Sequence, residues 1–136
     1  MSLTKYKNGV SSFGIPQTGA GIPVSFKTYW FVDSATGSND NVGQDPSEPL
    51  ATLANALTKV GADDVVIVAA GHTETITAAN GINFVDAGVQ VIGLGTSNRR
   101  PTISYSTVST ASLGVDAANC SLRNFVLDLT GTDGLT

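Results

Sequence analysis

The chain is poor in charge, in histidine and in cysteine, and it has no long apolar run. Only 13% of its 136 residues are charged, against roughly a quarter in ordinary globular domains. A surface of ion pairs is therefore excluded, and Ser, Thr, Asn and Gly must build most of it. That suits a β-rich, turn-rich protein covered by neighbours or exposed outside a cell, and not a typical cytoplasmic helical enzyme. The single cysteine, Cys120, excludes an internal disulfide and a cysteine-based zinc site, and its alternating apolar surroundings predict a small core residue. No stretch approaches the ~20 apolar residues of a membrane span, and the N-terminus lacks an uninterrupted signal core. Neither a membrane location nor a secretion pathway of its own is expected.

What charge there is falls unevenly. Residues 1–30 hold Lys5, Lys7 and Lys27 and no acid, whereas all 11 acids lie in residues 31–136 with Lys59, Arg99, Arg100 and Arg123. The formal balance is +3 for the first part and −7 for the second. Such a split reads either as a basic arm that reaches an acidic partner or as lysines that keep a tail soluble. Residues 1–28 carry Gly9, Gly14, Pro16, Gly19, Gly21 and Pro23, which interrupt helix and strand alike. They also carry Tyr6, Val10, Phe13, Ile15, Ile22, Val24 and Phe26, more apolar residues than a disordered linker holds. The expectation is an extended arm over 1–28 that needs a surface, on its own body, a sister subunit or another protein.

The body is expected over 29–136. Thr28–Val32 is a strand by propensity, and 33–45 is dense in turn formers. Leu50, Leu53, Ala54 and Leu57 recur at helical spacing and predict a short helix over about 49–60, capped by Asp45 or Ser47 and stopped near Gly61. Val65–Val68 follows as a strand apolar on both faces. Short strands are then predicted near 74–77, 82–85, 89–94, 102–105, 112–115, 121–122 and 125–129. Val89-Gln90-Val91-Ile92-Gly93-Leu94 matches Cys120-Ser121-Leu122-Arg123-Asn124-Phe125 at an offset of 31, and Val65 sets against Val89 at 24. Repeated coils of this kind bury their apolar faces only by stacking. The last residues, Asp128–Thr136, read as a turn into a further coil. An antiparallel sandwich or jelly roll is the competing all-β fold.

Little chemistry is written into the chain. His72 stands two residues from Glu74, but a surface or half-buried turn position is the expected reading. Asp33, Asp40, Asn41 and Asp45 share a glycine-bearing loop without EF-hand spacing, so turn and capping roles are expected rather than calcium. Asp63 and Asp64 are adjacent and should diverge, not form a paired-acid site. Phosphate-loop, nucleophile-elbow and metalloprotease motifs are absent, so no catalytic residue, no metal, no cofactor and no small-molecule substrate is assigned. Arg99-Arg100, the only adjacent basic pair, reads as a loop tip or an interface anchor. An acidic body without a basic stripe is not expected to bind nucleic acid.

The helix–turn–strand run from Asp45 to His72 resembles the N-terminal cap and first coil of pectin-lyase-like right-handed parallel β-helices. The opening Met1-Ser2-Leu3-Thr4-Lys5-Tyr6-Lys7-Asn8-Gly9-Val10-Ser11-Ser12-Phe13-Gly14-Ile15-Pro16 resembles that of small proteins of tailed bacteriophages. The runs Trp30–Asp33, Gly71–Ile76 and Ala87–Gly95 resemble the same proteins. The resemblance implies an all-β fold, a short right-handed parallel β-helix with one capping helix and an extended arm. It also implies a non-enzymatic virion component on the capsid surface, made in the bacterial host cytoplasm, that decorates or cements the head. Its partners would be the major capsid protein and neighbouring copies of itself, a trimer being a common arrangement of phage β-helix proteins. Partner-binding residues would be Lys5, Tyr6, Lys7, Phe13, Ile15, Pro16, Phe26 and Lys27 of the arm, with Arg99 and Arg100 as an interface loop. A tail-fibre or tailspike module that binds host polysaccharide is the alternative.

Overall fold

A computed structural model describes residues 11–12, 15–16, 28–106 and 110–129. Most elements are short strands. Two lie in the arm, β1 (Ser11–Ser12) and β2 (Ile15–Pro16), paired antiparallel. The body starts with β3 (Tyr29–Val32), followed by one helix, α1 (Leu53–Lys59), and then β4 (Val65–Val68), β5 (Thr73–Ile76), β6 (Ile82–Phe84) and β7 (Gln90–Gly93). After a 3₁₀ turn at Ser97–Arg99 come β8 (Thr102–Tyr105), β9 (Leu113–Val115), β10 (Ser121–Arg123) and β11 (Val126–Asp128).

The body strands form three parallel sheets, ordered β10-β7-β4-β3, β11-β8-β5 and β6-β9. Parallel pairing throughout the described body goes against the antiparallel sandwich. Within the largest sheet the strands pair in parallel with later strands in the chain, so Tyr29 stands on Val65, Val65 on Gln90 and Gln90 on Ser121. The 31-residue offset is therefore as expected, but the earlier one is 25, not 24. A one-residue slip would turn every side chain over. Val89 is buried in the main core whereas Val65 lies in a second apolar cluster with Ile67 and Ile92, so these two cannot be partners.

The turns that lead into the strands of the largest sheet are bonded to one another. Asp63, Gly88 and Asn119 each precede a strand by two residues and each has positive φ (65°, 77° and 60°). The amide of Asp63 donates to the Ala87 carbonyl at 2.9 Å and that of Gly88 to Ala118 at 3.0 Å. Asn and Asp tolerate this backbone region better than most residues. Gly88 has a second reason to be glycine, since a Cβ there would lie 2.2 Å from Asp63 Oδ1. The core between the sheets holds Trp30, Val66, Val68, Ile76, Ile82, Phe84, Val89, Val91 and Ile103. Val65 and Ile67 are buried on the other face of β4, as expected for a strand covered on both sides.

The helix is shorter than the expected 49–60. Leu50 is fully buried but bridges Val32 in extended backbone, so its apolar periodicity with Leu53 comes from burial and not from a helical turn. Thr52, not Asp45 or Ser47, is the N-cap, and its side chain accepts the Asn55 amide at 3.2 Å. Leu53, Ala56 and Leu57 face the core.

Candidate functional site

The expected arm residues Lys5, Tyr6, Lys7, Phe13, Phe26 and Lys27 lie outside the described residues. Ile15 and Pro16 belong to the two-residue ladder in which Ser11 stands on Pro16 and Ser12 on Ile15. Thr28 joins the arm to the body, and its amide donates to Asp64 Oδ1 at 3.1 Å. The chain therefore enters the body at a fixed point beside β3.

Arg99 and Arg100 sit, as expected, on an outward loop between β7 and β8. Arg100 donates through Nε to the Ser97 carbonyl at 3.1 Å, and the Arg99 carbonyl accepts the Gly71 amide at 2.7 Å. The backbone of this loop is thereby pinned to the preceding round, while the Arg99 side chain is exposed.

His72 is not a surface residue. It is 1% exposed. Its Nδ1 accepts the Ser34 amide at 3.0 Å, so the ring proton sits on Nε2 and is directed at Glu74 Oε2, 3.3 Å away. Glu74 in turn accepts the amides of Leu53 and Ala54, at 2.6 and 3.1 Å, the first two residues of α1. These are orphan donors of a helix start, and a carboxylate is a strong acceptor for them. The pair that sequence spacing offered as acid and base is occupied in fastening the helix to β5.

A buried acid works at the other end of the helix. Asp64, 4% exposed, accepts the Trp30 indole at 2.9 Å, the Gly61 amide at 2.9 Å and the Thr28 amide at 3.1 Å. A buried carboxylate is tolerable only when its oxygens are satisfied in this way. Asp63 is exposed, so the two acids diverge as expected. Neither Glu74 nor Asp64 was expected in this role, because their partners lie up to 36 residues away. The available signal was an acid among the apolar residues of a predicted core strand.

The loop acids do turn chemistry. Asp33 accepts the Ala35 amide and the Thr36 hydroxyl, and Asp45 accepts the amide and hydroxyl of Ser47. These two Ser47 bonds hold the Asp45 carboxyl below the usual range. Cys120 packs against the core and donates to the Asp86 carbonyl at 3.3 Å. Tyr105 packs on the core, and burial pushes its phenol up.

Two surface features stand out among the described residues. One is an open groove of about 620 Å³ between α1 and β6, whose lining includes Asn55, Thr58, Asn80, Asn83 and Val85 and no charged side chain. The other is the outer face of the last round. No protein-family model, curated protein or solved structure matches the chain.

Proposed function

We propose that this is a non-enzymatic bacteriophage virion protein that decorates or cements the capsid by binding the major capsid protein. In this reading the three parallel sheets are the faces of a short right-handed parallel β-helix with α1 as its plug. Residues 1–28 are the anchor. The observation that carries the proposal is the split of the chain. A lysine-bearing, acid-free segment rich in apolar residues is joined at Thr28 to a body with formal charge −7. Tyr6, Phe13, Ile15, Pro16 and Phe26 supply area to bury on a capsid subunit, and Lys5, Lys7 and Lys27 supply attraction and steering. Arg99 and Arg100, on a loop whose backbone is held by Gly71, contact a neighbouring subunit or copy. A body with few charges tolerates crowding on a head surface.

The test is co-sedimentation of the purified protein with phage heads lacking it, across a salt series. Saturable binding that weakens as salt rises is expected, because exposed charge attraction is screened. Absence of binding to intact heads defeats the proposal.

The uncharged groove gives a specific reason to keep the tail-fibre reading. Side-chain amides and hydroxyls beside Leu57 and Val85 match the mixed polar and apolar surface of a neutral polysaccharide. Binding to host cells that is lost with Asn83→Ala, together with no binding to heads, favours that alternative.

A further inference from the structure

Among the described residues, Asn80 is the only asparagine followed by glycine. That pair is the least shielded one for a reaction between a side-chain amide and the next backbone nitrogen, because Gly81 carries no Cβ to screen its own amide. Asn80 is exposed to water and has positive φ (50°), a conformation that asparagine enters readily. Neither residue is freely replaceable. A Cβ on Gly81 would lie 2.8 Å from Ile76 Cγ2, and most other side chains would strain the backbone at position 80.

One residue grips this turn. Ser112, immediately before β9, donates its amide to the Ala78 carbonyl at 3.2 Å. Its carbonyl accepts the Gly81 amide at 3.0 Å, and its Oγ accepts the Asn80 amide at 2.9 Å. The Gly81 amide is also directed at the Ala78 carbonyl, at 3.2 Å. The nitrogen that would attack the Asn80 carboxamide is therefore engaged by two acceptors. It is freed only when the turn parts from Ser112.

We propose that Asn80 is a modification site that converts to aspartate and isoaspartate, with Ser112 as its gate. The Gly81 amide gives its proton to a solvent base, and its nitrogen bonds to Asn80 Cγ. The Cγ–Nδ2 bond breaks, and the side-chain nitrogen takes up a proton and leaves as ammonia. Water then opens the cyclic imide at either carbonyl, with no change of oxidation state. Opening at the backbone carbonyl leaves isoaspartate, which adds a methylene to the main chain. It also places a carboxylate on a groove lined by no charged side chain. The lengthened turn no longer fits the three bonds to Ser112, so conversion loosens the start of β6 from β9. The inference does not depend on the decoration proposal.

The test incubates the full chain at mildly alkaline pH in native buffer and in guanidinium chloride. Conversion is located by peptide mass mapping, and isoaspartate is read by enzymatic methylation. Asn80 should convert at least about tenfold more slowly in native buffer, because the reaction must await local opening. Ser112→Ala, which removes the acceptor of the Asn80 amide, should speed conversion in native buffer. In the unaltered chain, conversion and hydrogen exchange of the Gly81 amide should rise together as guanidinium is added below the unfolding transition, a reading that stands even where Ser112→Ala fails to fold. Equal rates in the two solvents, no conversion in denaturant, an unchanged rate in a folded Ser112→Ala, or conversion that does not follow Gly81 exchange overturns the proposal.

Discussion

The two ends of the body solve one problem in different ways. At the first round the backbone edge of β3 is occupied. The Phe31 amide donates to Gly43, its carbonyl accepts from Leu50, and the Asp33 amide donates to the Leu50 carbonyl. Helix α1 lies over the core, and two acids at inward positions hold it, Glu74 at its start and Asp64 just beyond its end. At the last round the same register positions are apolar. Glu74 stands on Ile103, which stands on Leu127. The acids thus stand where the helix must be held, and an apolar residue takes the register position of Glu74 in the later strands.

The largest expected effect breaks this comparison most sharply. Leu53, the first residue of α1, is fully buried, so Leu53→Ala should cost about 2–5 kcal/mol in denaturant unfolding. Leu127→Ala, at a half-exposed inward position, should cost less than about 1 kcal/mol. Equal losses would mean that the last round is as well covered as the first. Next in size, Glu74→Ala strips acceptors from Leu53 and Ala54 and leaves the His72 ring proton unpaired, and should cost about 1–3 kcal/mol. Glu74→Gln, which keeps one acceptor oxygen, should recover part of that loss by the same measurement.

A smaller effect sharpens the comparison at a corner between rounds. Gly88→Ala places a Cβ against Asp63 Oδ1 at φ +77° and should cost about 1–2 kcal/mol, seen as a lower Tm. The smallest concerns the loop that covers β3. Asp45 is held below the usual carboxylate range by Ser47. A lowered folded pKa contributes stability that is present above the ordinary carboxylate range and is lost as pH falls through the folded value. Ser47→Ala should therefore move the Asp45 carboxyl upward in an NMR titration and flatten that acid-side dependence.

Much of this architecture was legible in the sequence, and the limits have physical causes. Val65–Val68 announced itself by being apolar on both faces, and Thr102–Tyr105 by β-propensity between turns. The helix start was misplaced because Leu50 obeys helical spacing while serving as an extended edge partner of Val32. His72 and Glu74 were misjudged because their burial comes from Ser34 and the start of α1, distant in sequence. The groove between α1 and β6 could not be read at all, since Asn55 and Asn83 come together only through packing. The arm was legible as composition and charge, the features on which the functional proposal stands.

That proposal meets its most direct test in arm deletion. The full chain and a chain lacking residues 1–26 would be compared by circular dichroism and by saturation binding to phage heads. The account predicts that the shortened protein keeps its strand signal and cooperative melting while head binding is abolished. A shortened protein that still saturates heads with undiminished affinity would contradict it.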